Sequence, residues 1–297
     1  MNQKIAVITG GAGFIGSHLT DFLIDQNWQV RVVDNLSTGR QENINSKADF
    51  FKLSIMDNID SIFRDADYVF HLAALPQVQF SIDEPQKSNS INAEGTLNVL
   101  EIARRNKIKK VIFSSSCAVY GDQEILPITE TADIKPKSPY GLQKYVGELY
   151  CQLYSSVYNL PTICLRYFNV YGPRQSDVGA YSSVIANFLK QKKTNQPLTV
   201  VGKGQQTRDF VHVKDVVQAN FKAVFCDVDT GDSINIGSGQ GYSVNQIAGF
   251  IGGPIHNLPA RIEPQNVWAD NRKAIKVLNW QPTIDLKRGI KELIHRS

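Results

Sequence analysis

Through the first half of the chain, short β-branched runs alternate with longer stretches whose apolar residues recur at a helical interval. Lys4–Thr9, Gln29–Asp34, Tyr68–Leu72, Lys110–Ser114 and Thr162–Tyr167 read as buried strands, with Phe50–Leu53 a weaker one. Helices are expected at Ser17–Asp25 and at Asn92–Arg105, where Leu97, Leu100 and Ile102 fall near a 3.6-residue period. A third, Pro139–Tyr158, is introduced by Ser138 as N-cap and by proline at the first helical position. This alternation predicts an α/β fold with a doubly wound parallel sheet. Past Asn169 the rhythm changes: glycine and proline become frequent and the elements shorten. The chain therefore divides into a first domain over residues 1–168 and a smaller α/β domain over 169–297 that crosses back to the first.

Composition narrows the class. The 297 residues are 42% hydrophobic and 20% charged, enough to bury a core without disulfide or metal staples. Lys and Arg number 32 against 28 Asp and Glu, a net charge of +4, so neither nucleic acid nor a membrane surface is expected as a partner. No apolar stretch approaches the roughly 18 residues of a membrane span. Met1-Asn2-Gln3-Lys4-Ile5 enters a strand at once and does not read as a signal peptide, which points to the cytoplasm. Cys117, Cys151, Cys164 and Cys226 are isolated and lack ligand spacing, so no metal site is expected.

Gly10-Gly11-Ala12-Gly13-Phe14-Ile15-Gly16 follows the first strand and opens the first helix. One glycine permits a tight turn, one lets the backbone approach a pyrophosphate, and one lets helix and strand pack closely. The helix N-terminus then offers free N–H groups to the phosphates. Asp34 ends the second strand 18 residues after Gly16 and can accept the adenosine ribose hydroxyls; its charge would repel a 2′-phosphate, favouring NAD over NADP. A second glycine cluster, Gly237–Gly241, lacks these companions and reads as a loop.

Tyr140 and Lys144 stand four apart on one face of the Pro139–Tyr158 helix. A tyrosine needs a neighbouring cation or helix N-terminus to serve as a base near neutrality. Ser114-Ser115-Ser116 place hydroxyls at the strand edge where such sheets bind ligands.

With these parts in order, the chain resembles the extended short-chain dehydrogenase/reductase family, and within it the nucleotide-sugar 4-epimerases of the NAD-dependent epimerase/dehydratase group. His71–Ala74, Asn92–Thr96, Ser114–Gly121, Leu165–Pro173, Arg208–Val213 and Trp268–Asp270 extend the resemblance over nearly the whole chain. It implies a Rossmann-type first domain and a nucleotide-sugar-binding second one. Tyr140 matches the proton acceptor and donor, Ser116 the hydroxyl that bonds the reacting sugar oxygen, and Lys144 the residue that holds the nicotinamide ribose and depresses the tyrosine pKa. The resemblance assigns NAD contacts to Gly10, Gly13, Phe14, Ile15, Gly16, Asp34, Asn35, Ser37, Thr38 and Gly39. It assigns further ones to Ser54, Ile55, Leu72, Ala73, Ala74, Asn92, Ser114, Tyr140, Lys144 and Tyr167. Ser116, Asn169, Arg208, Arg261, Val267 and Asp270 match substrate-contacting positions. Ser54 replaces an aspartate that commonly contacts adenine, and the segment from Ser243 to Gln265 is shortened. Dehydratases and decarboxylases of this family carry acidic residues where Cys117-Ala118 stand, so epimerisation fits best. Its substrate is expected to be UDP-GlcNAc/UDP-GalNAc, because a bulky tyrosine at the Val267 position would exclude an N-acetyl group. UDP-glucose/UDP-galactose or a UDP-uronate is the alternative, and a non-catalytic NAD-sensing regulator is the reading from another class. A homodimer through the Asn92–Arg105 and Pro139–Tyr158 helices is expected; Leu149, Leu153 and Val157 could face either core or partner, and the core is the preferred reading for each.

Overall fold

The computed structural model describes residues 3–176, 183–259 and 266–296. Arg261 lies outside the described residues. Six strands come from the first half: β1 (Ile5–Thr9), β2 (Gln29–Val33), β3 (Asp49–Phe51), β4 (Tyr68–His71), β5 (Lys110–Ser116) and β6 (Thr162–Tyr167). Between them run α1 (Phe14–Asp25), α2 (Asp60–Phe63), α3 (Val78–Asp83), α4 (Pro85–Asn89), α5 (Gly95–Arg105) and α6 (Pro139–Tyr158). The second half adds β7 (Asn169–Tyr171), α7 (Val184–Lys193), β8 (Leu198–Val201), β9 (Thr207–Arg208), β10 (Phe210–His212) and α8 (Val213–Ala223). It continues with β11 (Thr230–Ile236), β12 (Tyr242–Ser243), α9 (Val244–Ile251), β13 (Ile255–Leu258), β14 (Asn266–Val267), α10 (Arg272–Leu278) and α11 (Leu286–Arg296).

Seven parallel strands form the central sheet in the order β11-β6-β5-β4-β1-β2-β3. This is the doubly wound α/β architecture expected from the alternation. Successive residues of a strand serve opposite faces. Ala6 and Ile8 therefore pack with α1, α8 and α10, while Val7 joins the core beneath α2, α5 and α6. The strand order reverses between β2 and β4, on either side of β1, which opens a crevice at the C-terminal strand ends. Past Asn169, α8 and β11 return to the sheet, and a separate core forms among α7, β8, β10, α9 and α11.

Two elements differ from the sequence expectation in ways that matter for the site. Strand β5 runs two residues further, to Ser116, because Ser114–Ser116 pair with Leu165–Tyr167 of β6. The helix expected over Asn92–Arg105 is divided: Ser90–Glu94 form a π-helical turn, and the α-helix starts at Gly95. A Cβ at Gly95 would come within 2.5 Å of the Ile55 side chain, so glycine admits close packing there.

Candidate active site

A cleft of about 320 Å³ lies across the crevice between the ends of β1, β2, β4, β5 and β6. Its floor is the glycine turn. Gly10 has φ +75°, and a Cβ there would sit 2.7 Å from the Ala73 nitrogen, so turn geometry and close backbone approach both demand glycine. Gly13 caps α1, and Gly13, Phe14, Ile15 and Gly16 present the helix N-terminus to the cleft. That is a cradle for a diphosphate.

Asp34 stands at the end of β2 on the cleft wall, beside Asn35, Ser37 and Thr38. Its carboxylate accepts from the Ala12 N–H at 3.0 Å and from the Leu36 N–H at 2.8 Å, so it fixes the glycine turn as well as facing the cleft. Gly39 does not line the cleft. A Cβ there would lie 2.9 Å from Asp34 Oδ1, so it makes room for that carboxylate instead. Ser54 and Ile55 form the far wall; the Ser54 N–H donates to Asp57 Oδ2 at 2.7 Å, and Asn98 holds the Ile55 carbonyl.

Leu72, Ala73 and Ala74 form the opposite wall, oriented by a buried relay that sequence reasoning did not identify. Thr96 Oγ1 donates to the Asn92 carbonyl, so it accepts from His71 Nε2 at 2.9 Å. His71 Nδ1 is then the acceptor for the Thr9 hydroxyl at 2.7 Å, and Thr9 Oγ1 accepts from the Ala73 N–H. Burial pushes His71 down to about 3, so the ring is neutral and this tautomer holds near neutrality. The His71–Ala74 and Asn92–Thr96 motifs carried the available signal, but nothing in their spacing shows that Thr9 and Thr96 bracket the His71 ring. Asn92 is absent from the cleft wall too. Its amide clasps both backbone groups of Leu75, at 2.7 and 3.0 Å, and bonds Gln143 at 2.8 Å, which uses the side chain in the interior.

Helix α6 brings Tyr140 and Lys144 to the end of β5. The Ser138 hydroxyl caps the Gly141 N–H at 3.1 Å, and the Tyr140 N–H donates to Ser81 Oγ at 3.0 Å. Ser114, Ser116, Tyr140, Lys144 and Tyr167 all line the cleft. Burial raises the Tyr140 phenol to about 12, and its hydrogen bond with Ser116 pulls the other way. In the chain by itself burial sets the direction of this shift. Lys144 Nζ donates to the Ser114 carbonyl at 2.8 Å and lies 4.9 Å from the Phe113 ring centroid. Burial pushes Lys144 down to about 8, against the favourable charge of Glu148. Tyr167 donates to Asn220 at 2.8 Å, and burial raises its phenol.

Among the described residues, the other expected substrate positions, Asn169, Arg208, Val267 and Asp270, stand apart from the cleft wall. Asn169 Nδ2 donates to the Asp209 carbonyl at 2.9 Å, and Arg208 Nη1 to the Thr207 carbonyl at 2.8 Å. Asp209 accepts from Ser238, Gly239 and Ala269 N–H groups and from the Ser238 hydroxyl, so its carboxylate ties the loop after β11 to the segment after β14. Val267 is buried with Val119, Tyr120, Ile128, Phe168 and Ala269; of these, Phe168 reaches the cleft. Asp270 pairs with Arg272 at 2.5 Å, which holds its carboxyl below the usual range. His212 caps α8 through Nδ1 and packs edge-on against Tyr171, as a structural histidine. Among the described residues no cluster of His, Cys, Asp or Glu could hold a metal ion, and no helix is long and apolar enough to cross a membrane.

The glycine turn, helix N-terminus and Asp34 fit NAD: close backbone approach for the diphosphate, and a carboxylate at the ribose end. The profile of the NAD dependent epimerase/dehydratase family matches residues 6–237. A putative UDP-glucose 4-epimerase of Methanocaldococcus jannaschii is 43% identical over 97% of both chains. The UDP-glucose 4-epimerase of Thermotoga maritima, solved with UDP-glucose, superposes with a TM-score of 0.94 at 38% identity, covering 98% of this chain and 97% of that one. The UDP-N-acetylglucosamine 4-epimerase of Methanobrevibacter ruminantium, solved with UDP-N-acetylmuramic acid, superposes with a TM-score of 0.93 at 35% identity over the whole of both chains. Sequence, sheet order and the cofactor cleft agree that the chain belongs to the NAD-dependent epimerase/dehydratase family.

Proposed function

We propose that the protein is a 4-epimerase of UDP-sugars, with UDP-GlcNAc and UDP-GalNAc as its preferred pair. The observation that carries this reading is the meeting of Ser116, Tyr140 and Lys144 on one wall of the NAD cleft. Tyr140 takes the proton of the sugar 4-hydroxyl and later returns it, and Ser116 hydrogen-bonds the same oxygen as it becomes a ketone. Lys144 anchors the nicotinamide ribose. NAD, when bound, would supply a reversible hydride acceptor for carbon 4 and a positive pyridinium charge that favours the phenolate that burial alone disfavours. Cys117 follows Ser116; burial and the Asp209 charge raise its thiol to about 12, so it offers no acid of the strength an elimination needs.

The preference for N-acetylated sugars rests on Val267. It does not line the cleft, contrary to the sequence expectation, but packs in the cluster behind Phe168, which does. A small residue there lets Phe168 sit back. The resemblance to the two solved UDP-glucose and UDP-N-acetylglucosamine 4-epimerases keeps the plain hexoses as the second reading. The test is incubation of the purified protein with UDP-GlcNAc, UDP-glucose and UDP-glucuronate, followed by chromatographic separation of the epimers. UDP-GalNAc should form fastest.

A further inference from the structure

Beneath the serine strand end lies a buried charged pair that the reaction described above does not use. Glu148 follows Tyr140 and Lys144 at four-residue spacing on the same face of α6, and is wholly buried. Its Oε1 accepts the Ser115 hydroxyl at 2.5 Å and Arg166 Nε at 2.8 Å, and its Oε2 accepts Arg166 Nη2 at 2.6 Å. Arg166 Nη1 donates to the Tyr120 hydroxyl at 2.8 Å, which donates to Asn235 Oδ1 on β11 at 2.6 Å. Asn235 Nδ2 in turn donates to the Ile128 carbonyl at 2.9 Å. The network is well satisfied.

Stability is a weak reason for it, since well-packed apolar residues commonly replace a buried ion pair without loss. Its position suggests another. Three consecutive residues of β5 are each engaged by α6: Ser114 through its carbonyl by Lys144, Ser115 by Glu148, and Ser116 by Tyr140. Strand alternation turns the Ser115 side chain toward α6, on the face where Phe113 packs. Ser115 and Arg166 are cross-strand partners, and Glu148 clasps both.

We propose that Glu148 is a positioning residue of the reaction, which holds the ends of β5 and β6 to the catalytic helix through Ser115 and Arg166. It thereby sets Ser116 and Lys144 at their working distances from Tyr140 without touching substrate or cofactor. The inference rests on Tyr140 and Lys144 being the reacting groups, and it does not depend on which sugar is used.

The experiment compares Ser115→Ala, Glu148→Gln and Glu148→Asp, assayed on whichever UDP-sugar pair the wild type converts, with Tyr140→Phe as the marker of the site itself. Thr162→Val is the control. It removes a buried hydroxyl between the same helix and strand, at Cys151, far from the cleft. Ser115→Ala should lower kcat by about tenfold or more, the scale on which small misplacements act, with KM and bound NAD unchanged. Glu148→Asp should recover part of what Glu148→Gln loses, and Thr162→Val should lose comparable Tm yet keep its rate. Wild-type kcat in Ser115→Ala would overturn the proposal, as would rate losses that track Tm in every variant, Thr162→Val included. Should Glu148→Gln fail to fold, Glu148→Asp against Thr162→Val decides the matter, because Ser115 itself borders the cleft.

Discussion

At Asp34 we propose that a single carboxylate serves two purposes, of which only the ribose contact was legible in the sequence. Its place at the end of the second strand marked it for the ribose. Its bonds to the Ala12 and Leu36 N–H groups, which fix the glycine turn, depend on a loop shape that no spacing reveals. Asp34→Asn keeps one acceptor oxygen for the turn but loses the charge. We expect NAD to bind more weakly by about 1.5–3 kcal/mol, the scale of a charge-assisted hydrogen bond. Titration calorimetry with NAD and NADP checks this; equal affinity of the wild type for both would contradict the assignment. His71 and His212 give a second prediction at this scale. Burial pushes them down to about 3 and about 4, whereas the unfolded chain titrates near 6.5. Between these values the unfolded state binds more protons, so stability is complete above pH 6.5 and falls as the pH drops below it. Each histidine contributes a slope of up to about 1.4 kcal/mol per pH unit. Urea midpoints should decline from about pH 6.5 to 5.5; a level profile there would show that both rings titrate in the fold as they do in the unfolded chain.

Helix α6 shows how far pattern reading reaches. Its bounds and its serine cap were legible, because Ser138-Pro139 carries a local signal that packing does not override. The destination of its outer face was not. Leu149, Leu153 and Val157, expected in the core, are 45%, 48% and 57% exposed, and Leu142 and Tyr158 extend the stripe. Helical spacing fixes which residues share a face but not what covers it. A stripe this apolar fits association with a second copy. Light scattering at micromolar concentration should give twice the 33.1 kDa chain mass, and Leu149→Glu with Leu153→Glu should reduce it to one chain. A wild type scattering as a single chain would refute the dimer. Strand β5 and the π-turn at Ser90–Glu94 were misjudged for a related reason. Three serines look like a strand end until β6 pairs with them, and Asn92 looks like a cofactor ligand until Leu75 is found in its grasp.

At the scale of the whole molecule, the doubly wound sheet and the cofactor half of the cleft were readable, because a glycine turn, a strand-end acid and a helical Tyr-Lys pair are short-range signals. The second half was not. Its short strands β8 to β14 pair mostly across long separations, and β11 leaves it to complete the central sheet. Where these pieces meet, Val267 pairs with Arg208 and shares a cluster with Phe168, and it is beside Phe168 that we propose the sugar end of the site. Val267→Tyr should crowd Phe168 toward the cleft and selectively lower turnover of the N-acetylated pair, by about tenfold for the few heavy atoms at issue. Equal loss on UDP-glucose would place the discriminating wall elsewhere. Tyr140 is the proposed proton carrier of an NAD-dependent epimerisation, and every other proposed role depends on it. The most direct measurement is conversion of UDP-GlcNAc to UDP-GalNAc by the wild type beside Tyr140→Phe, with bound NAD quantified in both. The account predicts turnover by the wild type and a loss of roughly 10²–10⁴ in the variant at unchanged cofactor content. A variant retaining more than about a tenth of the wild-type rate would contradict it.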